Sequence, residues 1–205
     1  MQNLLIANCV VFLAMMLLDK MRIYELFALF PVPSPFFKIW QPVTYMFMHG
    51  DFSHLFFNMF ALWMFGRGLE QELGTKRFLT YYLICGIGAG LVQLGVAQID
   101  LMRLSEASIL YQSYLCTPTV GASGAVFGLL LAFGMLHPNA TIMLLIPPIP
   151  MKAKWFVIIY GLLELLFGVS GKMDSVAHFA HLGGMFWGWL LLIWWRYRDS
   201  RKYRY

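Results

Sequence analysis

A serine and a histidine in two apolar segments are the residues of this chain best suited to chemistry. Ser123 lies in Gly121-Ala122-Ser123-Gly124, and His181 lies in a later segment that is equally apolar. A serine hydroxyl becomes an effective nucleophile when a base within about 3 Å takes its proton, and imidazole is a common base. The pair therefore suggests a hydrolase in which Ser123 attacks and His181 is the general base.

The composition of the chain places this pair in a membrane. The 205 residues are 60% hydrophobic and 12% charged, with a mean hydropathy of +0.67, which is far from the composition of soluble domains. The sequence lacks strand-like alternation, so the spans should be helices, each with roughly 20 mainly apolar residues. We expect an all-α polytopic membrane protein with one domain over residues 1–205.

Six apolar segments are the candidate transmembrane helices. The three prolines between residues 31 and 35 break the chain after the first segment into a loop. The candidates run from Leu4 to Leu18, Phe52 to Leu69, Phe78 to Val96, Ser123 to Leu136, Trp155 to Phe167 and Val176 to Trp195.

The basic residues are divided unequally between the two sides of such a bundle. Most of the 15 lysines and arginines fall on the side that holds both termini, and the positive-inside rule puts that side in the cytoplasm. We expect a multi-pass protein of the plasma or inner membrane. Much of the net charge of +5 comes from the basic tail, residues 196–205, which we expect to contact anionic lipid. Nucleic acid is therefore not an expected partner.

Ser123 and His181 are expected at the same depth. Pro138 and Arg196 each lie 15 residues further along their segments, so both side chains would sit roughly 22 Å above the cytoplasmic boundary. A helix that begins at Ser123 is then too short to span the membrane, and residues 116–122 must enter as irregular backbone. Such backbone is tolerated where it is buried in protein or lines a water-filled cavity, and hydrolysis needs water there.

Small residues indicate that these two helices touch. Gly124 and Gly128 in the fourth segment, and Gly184 and Gly188 in the sixth, have the small-xxx-small spacing that lets helix backbones approach closely in lipid. Close backbones would let a serine side chain reach an imidazole. The alternative is that the glycines serve only packing, Ser123 caps its helix and His181 is a hydrogen-bonded buried residue.

A third polar cluster runs from His49 through His54 to Asn58. His54 and Asn58 are four residues apart, so they project from one helical face. Their N–H groups, with backbone N–H groups at the start of the fourth helix, could stabilise the oxyanion of a tetrahedral intermediate. The alternative is an interhelical network that only fixes packing.

Together these residues resemble the rhomboid intramembrane serine proteases. The resemblance covers nearly the whole chain and rests on His49-x4-His54-x3-Asn58, Gly121-x-Ser123-Gly124 and Ala180-His181-x2-Gly184-x3-Gly188, in that order. It implies a six-transmembrane-helix rhomboid-like bundle with a short fourth helix starting at the catalytic serine. It also implies cleavage, without a cofactor, of single-span membrane proteins near the outer end of their transmembrane segments.

The resemblance also implies a role for each residue. Ser123 would be the nucleophile and His181 its general base, in a dyad without a carboxylate. His54, Asn58 and the Ser123 backbone N–H would form the oxyanion hole. The residues expected to support the site are His49, His178, Gly121, Gly124, Gly184 and Gly188.

Two positions depart from the family pattern. Trp40 is followed by Gln41 where many rhomboids have arginine, so the contacts of that arginine in the first loop cannot be carried over. Position 127 is Phe where some members have tyrosine. A ring there can still stack on His181, although a hydroxyl contact is lost.

Two further polar residues lie close to the site in sequence or depth. His178 and His181 form His-x2-His, but a metalloprotease of this kind would show His-Glu-x2-His, so we expect no metal and a supporting role for His178. Glu164 is an intramembrane carboxylate and therefore a functional hypothesis by default. It could tune the lateral opening that the resemblance places beside its helix, or it could simply be neutral or hydrogen-bonded to a neighbouring helix near the outer half.

Two other functions remain as alternatives. A catalytically silent rhomboid-like protein would bind client transmembrane helices, but such relatives typically lack the Ser123 and His181 pair. A small transporter is disfavoured because the sequence has no internal repeat and no chain of intramembrane charges.

Overall fold

A computed structural model describes residues 1–143, 148–170 and 178–202, and helices dominate these ranges. A 3-10 helix covers Tyr45–Phe47, and β1 (Thr141–Met143) pairs antiparallel with β2 (Pro150–Lys152). The α-helices are α1 (Gln2–Leu17), α2 (Lys20–Phe27), α3 (Gln41–Thr44), α4 (Phe52–Leu73), α5 (Thr75–Leu101), α6 (Ile109–Leu115), α7 (Ser123–Leu136), α8 (Ala153–Ser170) and α9 (His178–Lys202).

Each of the six apolar segments contains a helix, namely α1, α4, α5, α7, α8 and α9. By length and composition, α5 and α8 are suited to cross a membrane, while α1 and α7 are shorter apolar helices. Six crossings therefore remain a prediction. The expected start of the sixth segment at Val176 and the last three residues of the basic tail lie outside the described residues. The sequence analysis did not predict α2, α3, α6 or the β1–β2 hairpin.

Local signals set the ends of α4. Asp51 caps its N-terminus, where the carboxylate accepts a hydrogen bond from the His54 backbone N–H at 2.8 Å. Gly74 ends the helix and leads directly into α5 with a φ of 78°, in the left-handed region that favours glycine. The Asp51 cap thereby places His54 in the first turn of α4.

Helix α7 is the centre of the packing. It contacts α4, α5, α8 and α9, and most of its residues are buried. Helix α8 packs only one face against α7 and α9, and it exposes apolar side chains such as Leu162, Leu166 and Val169 on the other. Such a surface suits lipid contact, because hydrocarbon carries no penalty for exposed leucine.

The loop before α4 is held by Gln41, which is fully buried. Its side-chain amide donates to the backbone carbonyls of Glu25 at 3.1 Å and Phe36 at 2.8 Å, and its oxygen accepts from the Phe30 N–H at 3.3 Å. Gln41 therefore joins three parts of this loop. A neutral side chain therefore cross-links this loop.

Candidate active site

The segment before Ser123 is irregular, as predicted, and the first loop holds it in place. Thr119 and Leu29 exchange two backbone hydrogen bonds of 2.9 and 2.8 Å, and the Gly121 N–H donates to the Tyr45 carbonyl at 3.0 Å. Helix α7 then begins at Ser123 and is 14 residues long, or about 21 Å at 1.5 Å per residue. The expectation of a short helix that begins at Ser123 is confirmed.

The structure brings the Ser123 and His181 side chains into direct contact. Oγ of Ser123 lies 2.8 Å from Nε2 of His181. His181 is 8% exposed, whereas Ser123 is only half-buried at the start of its helix. Because Ser123 can only donate its proton to an unprotonated nitrogen, this contact fits the neutral tautomer in which Nδ1 of His181 carries the hydrogen.

Close helix packing makes this contact possible. A Cβ atom on Gly184 would overlap the carbonyl oxygen of Gly124, so α7 and α9 touch backbone to backbone at this level. A Cβ on Gly128 would lie 2.5 Å from Cys85 Sγ and 3.1 Å from the Gly184 oxygen. Gly188 differs, because its Cβ would meet the Tyr81 hydroxyl on α5 rather than α7.

Phe127 fixes the plane of the His181 imidazole. Its ring stacks on the His181 ring with centroids 4.3 Å apart and planes 5° apart. The expected stacking at this position is confirmed without a tyrosine hydroxyl. Since one face of the imidazole is covered, polar partners must approach the ring through its edge.

A carboxylate also lies beside His181. Oε2 of Glu164 is 3.0 Å from Nδ1 of His181 and 2.7 Å from Nδ1 of His178. The contact with His178 has the distance and angles of a hydrogen bond. The contact with His181 has the distance of an ion pair, but its angles do not meet those of a hydrogen bond. The predicted supporting residue His178 thus touches Glu164, and the alternative that Glu164 bonds a neighbouring helix is confirmed.

The same three side chains form a candidate metal-ligand set. Their ligand atoms lie within 4.8 Å of one another, and α8 supplies the glutamate that is missing between His178 and His181 in the sequence. Two ligands of one tetrahedral zinc ion lie roughly 3.3 Å apart, given bonds of about 2.0–2.2 Å. The separations of 2.7 and 3.0 Å are shorter, so the geometry favours direct pairing of carboxylate and imidazoles. The absence of a metal remains a prediction.

His54 lies on the other side of Ser123. A Cβ placed on Gly121 would be 2.8 Å from Nε2 of His54 and 3.6 Å from Oγ of Ser123, so both side chains converge on this glycine. The Gly50 N–H donates to Nδ1 of His54 at 3.5 Å. Nδ1 is then the acceptor, and Nε2 carries the hydrogen that faces the site.

Asn58 and His49 are less directly connected with Ser123. The Asn58 amide donates one N–H to the His54 carbonyl at 2.9 Å, and within the described ranges no hydrogen bond joins it to Ser123. His49 is fully buried edge-on against the His54 ring, with centroids 5.0 Å apart. Burial and, to a smaller extent, the nearby His54 lower the pKa of His49 to about 4, so this imidazole is neutral at pH 7.

Sequence reasoning did not connect Glu164 with His181. The available signal was a carboxylate in an apolar helix, which marks a polar partner nearby but does not identify it. Glu164 and His181 lie on different helices, so neither spacing nor periodicity relates them. Their contact depends on how α8 packs against α9.

Comparison with known proteins gives a family match for most of the chain. A family model described as the Rhomboid domain matches residues 37–198. That range includes each of the side chains described above, from His49 to His181.

Named relatives support the same match. The chain is 34% identical over 149 residues to "Rhomboid protein 1, mitochondrial" of Saccharomyces cerevisiae, an alignment that covers 71% of this chain and 40% of the relative. It is 30% identical over 164 residues to "Rhomboid protease AarA" of Providencia stuartii, with 75% and 55% covered. It is also 30% identical over 149 residues to "Rhomboid protease GluP" of Bacillus subtilis, with 73% and 24% covered. The chain therefore spans about half or less of the length of these relatives.

Proposed function

The chain belongs to the membrane-embedded rhomboid family, and we propose that it is a serine endopeptidase that cleaves transmembrane segments of other membrane proteins near their outer end. The observation that carries the proposal is the 2.8 Å contact between Ser123 Oγ and His181 Nε2. Two relatives named as rhomboid proteases, one from Providencia stuartii and one from Bacillus subtilis, support the class of reaction.

The site supplies the groups that peptide hydrolysis requires. His181 Nε2 takes the hydroxyl proton as Ser123 Oγ bonds to the scissile carbonyl carbon. The C–N bond then breaks, the leaving amine takes that proton from Nε2, and an acyl-enzyme ester remains. Water, deprotonated by the same Nε2, hydrolyses the ester and restores the Ser123 hydroxyl.

The oxyanion of each tetrahedral intermediate needs N–H donors. We propose that Nε2–H of His54 and the backbone N–H of Ser123 donate to it, with the free N–H of Asn58 as a third donor. The convergence of His54 and Ser123 on Gly121 supports the first assignment. The hydrogen bond from Asn58 to its own helix leaves one amide hydrogen for the third.

Substrate would arrive from the lipid. Helix α8 exposes an apolar face, and the exposed side chains of α4 include Phe56, Phe57 and Trp63. A single-span segment could approach between these two helices without leaving the hydrocarbon. The proposed membrane is a plasma or inner membrane with both termini cytoplasmic, and the yeast relative, which is named mitochondrial, makes the mitochondrial inner membrane the other candidate.

The test is cleavage of a panel of single-span substrates by the purified protein in liposomes. Ser123→Ala and His181→Ala should each lower cleavage by at least about 10³-fold, and the double variant should be no worse, because the two residues act as a unit. Ser170→Ala and His137→Ala are matched controls that should keep activity, since Ser170 is exposed and His137 pairs with Glu72 instead.

A fluorophosphonate probe gives a second measurement that needs no substrate. It should label wild-type protein at Ser123 and leave Ser123→Ala unlabelled. Turnover by folded Ser123→Ala would refute the serine-protease proposal. A wild type that binds substrate helices but neither cleaves them nor reacts with the probe would instead be a catalytically silent member.

A further inference from the structure

Glu164 is a part-buried carboxylate whose described partners are two histidines. Its side chain is 12% exposed, and it contacts His178 and His181 on the neighbouring helix α9. A carboxylate removed from water loses several kcal/mol of solvation unless charges or N–H donors replace that water. Without these two imidazoles, the lost solvation of Glu164 would destabilise the folded protein. The contact with the histidines therefore has a physical reason.

The contact faces the nitrogen of His181 that Ser123 leaves free. Nε2 of His181 is 2.8 Å from the serine hydroxyl, and Nδ1 is 3.0 Å from Glu164 Oε2. Serine, imidazole and carboxylate thus follow one another in the order found in soluble catalytic triads. Phe127 covers a face of the ring, which leaves its edges for these two contacts.

We propose that Glu164 is a positioning residue for His181, which makes the site a serine–histidine–glutamate triad rather than a dyad. This inference rests on the proposed function. The carboxylate holds the hydrogen on Nδ1, so that Nε2 is free to accept the Ser123 proton. It then stabilises the imidazolium that this transfer creates, and remains ionised throughout.

His178 completes the arrangement by holding the carboxylate. Its Nδ1 donates to the same oxygen, Oε2, at 2.7 Å. The weaker alignment between Glu164 and His181 is the condition expected before substrate binds, because catalytic hydrogen bonds often tighten only in the substrate complex. Formation of the imidazolium adds a full charge to the attraction and draws the two groups together.

The pH dependence of activity can test this role. Among the described residues, the titratable side chains that face His181 are Glu164 on α8, His178 on α9 and His54 on α4. Of these, only Glu164 carries a negative charge that favours the protonated imidazole. Its removal should therefore let His181 stay unprotonated, and the enzyme stay active, at lower pH.

The experiment compares three variants with wild type in the full chain, in liposomes and with a chelator present. Glu164→Gln removes the charge with little change of shape, and Glu164→Asp keeps the charge on a shorter side chain. Glu72→Gln is the matched control, because Glu72 Oε2 also pairs with a histidine, His137, at 2.8 Å but at the other end of α7. Cleavage rate and fluorophosphonate labelling rate are measured from pH 5 to 9, and thermal unfolding of each variant is recorded.

Glu164→Gln should lower both rates by about 10- to 10⁴-fold, as loss of the carboxylate does in soluble triads. The acidic limb of its pH–rate profile, where the rate falls as the pH is lowered, should move to lower pH. A purely structural defect would not produce this shift. Glu164→Asp should recover part of the rate and of the limb position, and Glu72→Gln should match wild type.

Unchanged rates and an unchanged acidic limb in Glu164→Gln would overturn the inference while the proposed function stands. If Glu164→Gln does not fold, Glu164→Ala serves in its place, and wild-type rates with an unchanged acidic limb in that variant would overturn the inference equally. Loss of wild-type activity in chelator, restored by zinc, would assign the three side chains to a metal instead. Turnover by Ser123→Ala would refute the proposed function, and that result is separate from all of these.

Discussion

Gly121 is the residue that sets the distance between His54 and Ser123. Its φ of 130° is one that side-chain-bearing residues rarely adopt, and any Cβ there would press on the His54 ring. The backbone of the neighbouring residues approaches the site closely because this position has no side chain. Gly121 therefore lets His54 approach Ser123, whereas Gly184 lets α9, which carries His181, approach α7.

We expect Gly121→Ala to lower cleavage sharply with a smaller loss of stability. The new methyl group would stand 2.8 Å from His54 Nε2. The strained backbone would also lower the free energy of unfolding by about 1–3 kcal/mol. Gly50→Ala is the control, because a Cβ there would meet the Tyr24 hydroxyl at 3.8 Å and His54 Nδ1 at 4.0 Å, both ordinary contacts. Cleavage rate and thermal unfolding are measured together, and wild-type turnover by Gly121→Ala would show that His54 does not need this geometry.

Helices α7 and α9 bring Ser123 and His181 together by direct backbone contact. The serine side chain is short, so its reach to an imidazole on another helix depends on a separation that only glycines permit. The Gly124 carbonyl occupies the space that a Gly184 side chain would need. The glycines that let the two helices touch therefore also bring Ser123 within reach of His181.

Gly184→Ala should separate the two helices and inactivate the protein. A methyl group cannot displace the backbone oxygen of Gly124, so α9 must shift, and a misplacement of about 1 Å can cost 10²-fold in rate. Overpacking should also destabilise the fold by about 1–3 kcal/mol. Gly161→Ala on α8 is the control, since its nearest contact would be Met185 Cε at 3.5 Å. Full activity in Gly184→Ala would contradict this account of helix packing.

At the scale of the whole molecule, the contact between Glu72 and His137 and the candidate site lie at opposite ends of α7. His137 at the C-terminal end of α7 pairs with Glu72, and Arg77 pairs with Asp199 at 2.8 Å. Ser123 stands at the N-terminal end of α7, next to a loop that carries the exposed Cys116. By the positive-inside rule, we predict that the end of the bundle that carries Arg77 faces the cytoplasm.

Thiol labelling in sealed vesicles should place these two ends on opposite faces of the membrane. In a background without the other cysteines, an impermeant reagent added outside should label Cys116, and it should label Lys76→Cys, which is exposed in wild type, only after permeabilisation. A cysteine at the buried Leu130 should be protected from both sides. Labelling of Cys116 and Lys76→Cys from the same face would contradict the six-helix topology.

The sequence alone determined the six apolar helices and the candidate residues of the site. Long apolar runs specify helices because backbone groups in lipid must bond internally, and all six runs contain helices. The motif spacing identified Ser123 and His181, and counting residues placed them at one depth, because helix rise is constant. The small-xxx-small pairs indicated which helices meet, although Gly188 faces Tyr81 on α5 rather than α7.

Only the tertiary structure decided which partners each side chain has. Glu164 and His178 are 14 residues apart on different helices, and no periodicity encodes how α8 turns against α9. The structure also decided that Gln41 joins the first loop and that Gly121 lies beside His54. These contacts depend on the positions of several packed elements at once, whereas a sequence pattern reports the periodicity of one element at a time.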